Sequence, residues 1–184
     1  MERNSLSPPP SPLVQERRIV SYFDHEFIPL TENKMDHDVS EIADAGFSHV
    51  VMTVSESDME SSDRQARIRD VVDRFNDEGI EVWADPWRIG GVHGGEAISY
   101  FEQSGEKGCF CNPKLNILVN QWLHTVGRLG INKVFWDEPE MKCDEHRDDE
   151  LRYIEHFTGV ATEMGLRNAV CLTANRTKKW QLEE

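Results

Sequence analysis

Apolar residues along the chain follow two periods. Short runs rich in β-branched and aromatic residues alternate with longer stretches in which apolar positions recur every three or four residues. The first pattern is that of buried strands, the second that of amphipathic helices. Strands are predicted at Ile19–Phe23, His49–Val54, Ile80–Ala84, Val134–Asp137 and Ala169–Thr173. Between them, Val39, Ile42 and Ala43 mark a helix capped by Asp36 or Asp38, and Ile68, Val71, Val72 and Phe75 mark one opened by Ser61-Ser62-Asp63. Asn112 and Pro113 open a third, whose stripe is Leu115, Leu118, Val119, Trp122, Val126 and Leu129. Leu151, Ile154, Val160, Ala161 and Met164 form the fourth, starting near Asp148.

Each helical stretch stops at a glycine, Gly46, Gly79, Gly130 or Gly165, and a strand follows within a few residues. Successive glycines are about 33, 51 and 35 residues apart. Two of these spacings match one β/α unit of roughly 30 residues. The long one contains a glycine-rich insertion between Asp85 and Asn112. The expected architecture is therefore α/β: a (β/α)-repeat with about five parallel strands in sequential order, forming a partial barrel. No hairpin turn signal separates the strands. Residues 1–18, centred on Pro8-Pro9-Pro10-Ser11-Pro12, have no apolar period and are expected to be a disordered tail. Residues 19–184 make the folded domain.

With 184 residues, the chain is shorter than the roughly 250 of a complete eight-unit barrel. Its formal charge of -14 argues against nucleic acid or an anionic membrane as partner, because like charges repel phosphate. There is no apolar run long enough to span a bilayer and no hydrophobic leader before the prolines, so the expected location is cytoplasmic. Four cysteines do not make a disulfide scaffold in a chain of this size.

The segment most charged with chemical meaning is Val134-Phe135-Trp136-Asp137-Glu138-Pro139, an apolar strand that ends in two carboxylates and a ladder-breaking proline. The third strand ends similarly, in Asp85-Pro86-Trp87-Arg88. Parallel strands bring their C-terminal ends to one edge, where ligands bind in such folds. That edge would collect Asp24, His25, Glu56, Asp85, Trp87, Arg88, Asp137, Glu138 and Asn175, with Trp136 beside them. Carboxylates next to indole rings suit carbohydrate, whose hydroxyls bond to acids and whose C–H faces stack on aromatics. Asp137, Glu138 and Asp85 are the catalytic candidates and the others would bind substrate. A carboxyl held among apolar neighbours has its pKa raised toward general-acid range. The glycine-rich Gly90–Gly95 stretch, which carries His93, reads as a loop over this site; it lacks the lysine of a P-loop.

The strand ending Trp136-Asp137-Glu138-Pro139 resembles the fourth strand of TIM-barrel glycoside hydrolases, where Asn-Glu-Pro carries the general acid/base glutamate. Cys111-Asn112-Pro113, opening a helix that leads into this strand, is similar to the middle of amylase-related barrels. The resemblance implies a carbohydrate ligand, a truncated TIM barrel and Glu138 as acid/base, with Asp137 in place of the family's asparagine. It also implies a second carboxylate from a later strand, which has no counterpart before Glu184. Hydrolysis of a glycosidic bond ordinarily takes two carboxyl groups, and Asp85 or Asp24 would have to stand in. The open edges of a partial barrel would need a partner, either a second copy or the missing half.

Two other readings stand beside this one. The main reading needs no cofactor, but Cys109-x-Cys111 and Cys143-x-x-His146 have the residue types and spacing of a zinc site, structural or hydrolytic. A barrel fragment acting only as an interaction protein is the third.

Overall fold

The computed structural model describes residues 18–22, 31–93, 99–137, 139–146 and 149–171. Five strands form one sheet: β1 (Ile19–Tyr22), β2 (His49–Thr53), β3 (Glu81–Asp85), β4 (Lys133–Asp137) and β5 (Arg167–Cys171). They lie in the order β1-β2-β3-β4-β5, with every neighbouring pair parallel. The connections carry helices α1 (Glu32–Asp44), α2 (Glu56–Glu60), α3 (Ser62–Asp77), α4 (Tyr100–Gln103), α5 (Pro113–Arg128) and α6 (Glu150–Glu163). This is the sequential β/α repeat that the glycine spacing predicts.

Alternation along the strands separates two faces. Val50, Met52, Val82, Ala84, Val134 and Trp136 point toward the helices and are all nearly inaccessible. Trp136 sits among Trp122 of α5 and Tyr153 and Phe157 of α6, with ring centroids 5.9 to 6.3 Å away. The opposite face carries Trp83 stacked on Phe135, and the Lys133 ammonium lies 3.7 Å from the centre of the Trp83 ring. At the N-terminal ends of the strands the same face is tied by ion pairs from Glu81 to His49 and to Arg167. In (β/α) barrels that end serves stability, while the C-terminal end serves chemistry.

Local signals explain most boundaries. Asn112 accepts from the Lys114 amide at 3.0 Å and Pro113 opens α5, as the sequence implies. Gly46, Gly79, Gly130 and Gly165 all have positive φ, the left-handed turn that ends a helix. Two expectations are corrected and one element is added. Thr31, not Asp36 or Asp38, caps α1, because Asp38 accepts from the Tyr22 hydroxyl and the Lys34 ammonium while Asp36 pairs with Arg74. β5 begins two residues earlier than predicted, in register with Lys133 through Asp137. A short helix, α2, follows β2 directly; the buried Asp58 accepts from the Ser55 amide and hydroxyl and from Arg64, closing a capping box. The expected tail, residues 1–18, lies outside the described residues except for Arg18.

Candidate functional site

The C-terminal ends of β3 and β4 bring two of the predicted acids together. Ala84 pairs with Val134, so Asp85 lies level with Phe135 and Asp137 reaches two residues further, on the same sheet face. Asp85 is 1% exposed, and its Oδ1 has no hydrogen-bond partner among the described residues. Burial, then the nearby charge of Asp137, pushes the Asp85 carboxyl up to about 8. Asp85 is thus held protonated at neutral pH beside a second acid. Thr53, its register partner on β2, is also buried, and its hydroxyl has no partner among the described residues. These buried polar atoms at the strand ends, without partners among the described residues, are suited to receiving a ligand's polar groups.

His93 works from behind this edge. Its Nδ1 is 2.6 Å from the Asp137 carbonyl oxygen and its Nε2 is 3.0 Å from the Tyr153 hydroxyl. Burial lowers its pKa to about 4, so the ring is neutral. A carbonyl can only accept, which places the single proton on Nδ1 and makes Nε2 the acceptor from Tyr153. Burial also raises the Tyr153 hydroxyl above its ordinary range, keeping it a donor. The chain Tyr153–His93–Asp137 therefore fastens the insertion and α6 to the end of β4. His93 and Trp136, expected among the substrate-binding residues, both have partners within the fold. His93 has committed both nitrogens, and Trp136 is fully buried with its Nε1 donating to Asn168 at 2.8 Å. Tyr153 was missed, since on an apolar helical stripe nothing distinguishes it from core.

Glu56 is also drawn into the scaffold. It lies at the start of α2 and accepts backbone N–H bonds from Gly90 at 2.8 Å and Phe101 at 3.2 Å, strapping the insertion to β2. Burial is the largest cause of its raised pKa, opposed by those backbone donors. Beside it, Ser55, Ser57, Ser99, Tyr100 and Gln103 line a cleft of about 170 Å³ with Arg88. Arg88 has φ of 63°, an unusual left-handed conformation for a non-glycine residue, and its buried Nε lacks a partner among the described residues. Trp87 is half-buried between Asp85 and this cleft in the chain. Asp24, His25, Glu138 and Asn175 lie outside the described residues.

The cysteine and histidine pattern converges. Cys109 and Cys111, at the end of the insertion, meet Cys143 and His146 from the segment after β4, and their donor atoms all lie within 4.8 Å of one another. The Sγ of Cys109 is 2.9 Å from that of Cys111 and 2.8 Å from that of Cys143. His146 Nδ1 is 3.4 Å from Cys109 Sγ and 3.2 Å from Cys143 Sγ. All are free cysteines. Burial, with the crowding of Cys111 and Cys143, pushes the Cys109 thiol up to about 12. The fourth cysteine, Cys171, is the last residue of β5 and is not one of this group.

Among the described residues no helix is long and apolar enough to cross a membrane. No protein-family model and no curated protein sequence matches the chain. Solved structures do match in fold. A variant of GH5_18 from Bifidobacterium longum subsp. longum, in complex with Manb1-4GlcNAc, superposes with a TM-score of 0.61 at 10% identity, covering 84% of this chain and 43% of that one. GH5_18 from Streptomyces cattleya, in complex with GlcNAc, gives 0.61 at 13% identity, covering 84% and 44%. The chain spans less than half the length of these structures. At such identity the likeness is one of architecture alone: the chain has a partial TIM-barrel fold.

Proposed function

We propose that the chain is a glycoside-hydrolase-like barrel protein that binds or acts on carbohydrate at the C-terminal rim of its sheet. The observation that carries this reading is Asp85, a buried, proton-holding carboxyl on the same sheet face as Asp137, whose charge it feels. A protonated carboxyl beside a second acid is an arrangement that acid-assisted cleavage of a glycosidic bond uses. Asp85 would be the proton donor, and Asp137 or the adjoining Glu138 would be the second carboxyl group that such cleavage takes. The resemblance of Trp136-Asp137-Glu138-Pro139 to Asn-Glu-Pro strands assigns the proton to Glu138 instead, so the two glutamate and aspartate roles are separable by mutation. Trp87, Arg88 and the serine- and tyrosine-lined cleft would hold sugar hydroxyls and a pyranose face. Sugar ligands in structures of the same fold support this choice of ligand class.

The test is turnover of a chromogenic glycoside panel by the wild type, Asp85→Asn, Asp137→Asn and Glu138→Gln. Asp85→Asn is expected to lower kcat by about 10²–10⁴-fold and to abolish the loss of activity near the alkaline end, since the amide supplies no proton. If Glu138→Gln alone produces that pattern, the proton belongs to Glu138. If all three variants match the wild type, the rim is not the site.

A further inference from the structure

We infer that Cys109, Cys111, Cys143 and His146 form a closed, tetrahedral zinc site that pins the insertion to the segment after β4. The inference is independent of the carbohydrate reading. Zinc binds thiolate at about 2.3 Å and imidazole at about 2.0–2.1 Å, so a tetrahedral Cys₃His set has S–S edges of about 3.8 Å and S–N edges of about 3.5 Å. The two His146 contacts, 3.4 and 3.2 Å, fall at the S–N edge. The sulfur pairs at 2.9 and 2.8 Å are closer than the edge yet far from the ~2.05 Å of a covalent S–S bond. All four atoms fit inside the 4.8 Å span, so a single ion reaches every one with small rotamer changes.

The backbone around the cluster is already in register. The Glu140 amide donates to the Val92 carbonyl at 2.7 Å and the Lys142 amide to the Gly108 carbonyl at 2.8 Å, so the two ligand-bearing segments run side by side next to the sulfurs. Within the insertion, Gly108 also packs directly on Gly90, where a Cβ would lie 2.2 Å from the Gly90 carbonyl oxygen. Turns present each ligand pair: the Asn112 amide bonds to the Cys109 carbonyl and the His146 amide to the Cys143 carbonyl. Phe110 packs against the His146 ring, with centroids 4.8 Å apart. With four protein ligands no coordination position is left for water or substrate, which makes the site structural and speaks against zinc-dependent hydrolysis.

The insertion is long and has little regular structure, so its order depends on such ties. A metal there would hold the stretch that carries His93 and, through it, the Asp137 carbonyl.

Elemental analysis of full-length protein purified without chelator is expected to give about one zinc per chain, falling to about a tenth or less in Cys109→Ser and Cys143→Ser, while Cys171→Ser keeps its metal. Where those variants do not fold, cobalt reconstitution of the wild type is the second measurement. Thiolate charge-transfer and tetrahedral d–d absorption at one equivalent support the site. Zinc-free protein that also gives no thiolate–cobalt absorption, or disulfides among Cys109, Cys111 and Cys143 in protein kept under reducing conditions, would overturn it.

Discussion

Asp85 and His93 are buried titratable groups whose shifts have opposite consequences for stability. Folded Asp85 keeps its proton up to about 8, whereas an unfolded aspartate releases it near about 3.9. Across that window the unfolded chain binds fewer protons, so Asp85 lowers stability as pH rises, by at most about 1.4 kcal/mol per pH unit. His93 takes up a proton only near about 4, against about 6.5 unfolded. Between those values the unfolded chain binds more protons, so His93 raises stability with pH. The two slopes nearly cancel between about 4 and 6.5, leaving the Asp85 decline from about 6.5 to 8. Thermal unfolding measured across this range is expected to show that decline in the wild type and not in Asp85→Asn. Superimposable curves above pH 6.5 would mean that Asp85 is ionised in the folded chain. The sequence made Asp85 legible as a candidate, since a strand followed by Asp-Pro presents the acid at the sheet edge. It did not reveal His93's role, because its partners, the Asp137 carbonyl and Tyr153, lie 44 and 60 residues away in the chain.

At the scale of elements, the strands and long helices were readable because period and punctuation agree: apolar stripe, cap and stopping glycine fall in one order. The exceptions have local causes. Thr31 lies outside the apolar stripe of α1, so the pattern pointed to aspartates that tertiary contacts employ otherwise. The insertion has no period at all; its form comes from Glu56, Gly90, Gly108 and the cysteine cluster, which are contacts between distant residues. Substituting glycines separates these regimes. Gly108→Ala is expected to cost about 1–3 kcal/mol, since its Cβ meets backbone that cannot swing aside. Gly159→Ala, exposed within α6 with nothing near the added carbon, should gain about 0.5–1 kcal/mol. Chemical denaturation of both variants checks the contrast, and a Gly108→Ala protein as stable as the wild type would contradict the close approach.

For the molecule as a whole, the parallel order, the stability layer around Glu81 and the acids at the opposite strand ends follow one logic. The β/α repeat directs every strand's C-terminus to a common edge, and the long insertion and the segment after β4 gather there, tied together at the cysteine cluster. How much of the rim belongs to substrate is the central question. The most direct measurement is oligosaccharide binding, on a glycan array followed by titration of any glycan retained, using wild type and Asp137→Ala. The expected result is selective binding by the wild type that weakens at least about tenfold in Asp137→Ala, as removal of a carboxylate that hydrogen-bonds a ligand does. Absence of binding to every glycan, or binding that Asp137→Ala leaves unchanged, would contradict a carbohydrate site at the rim.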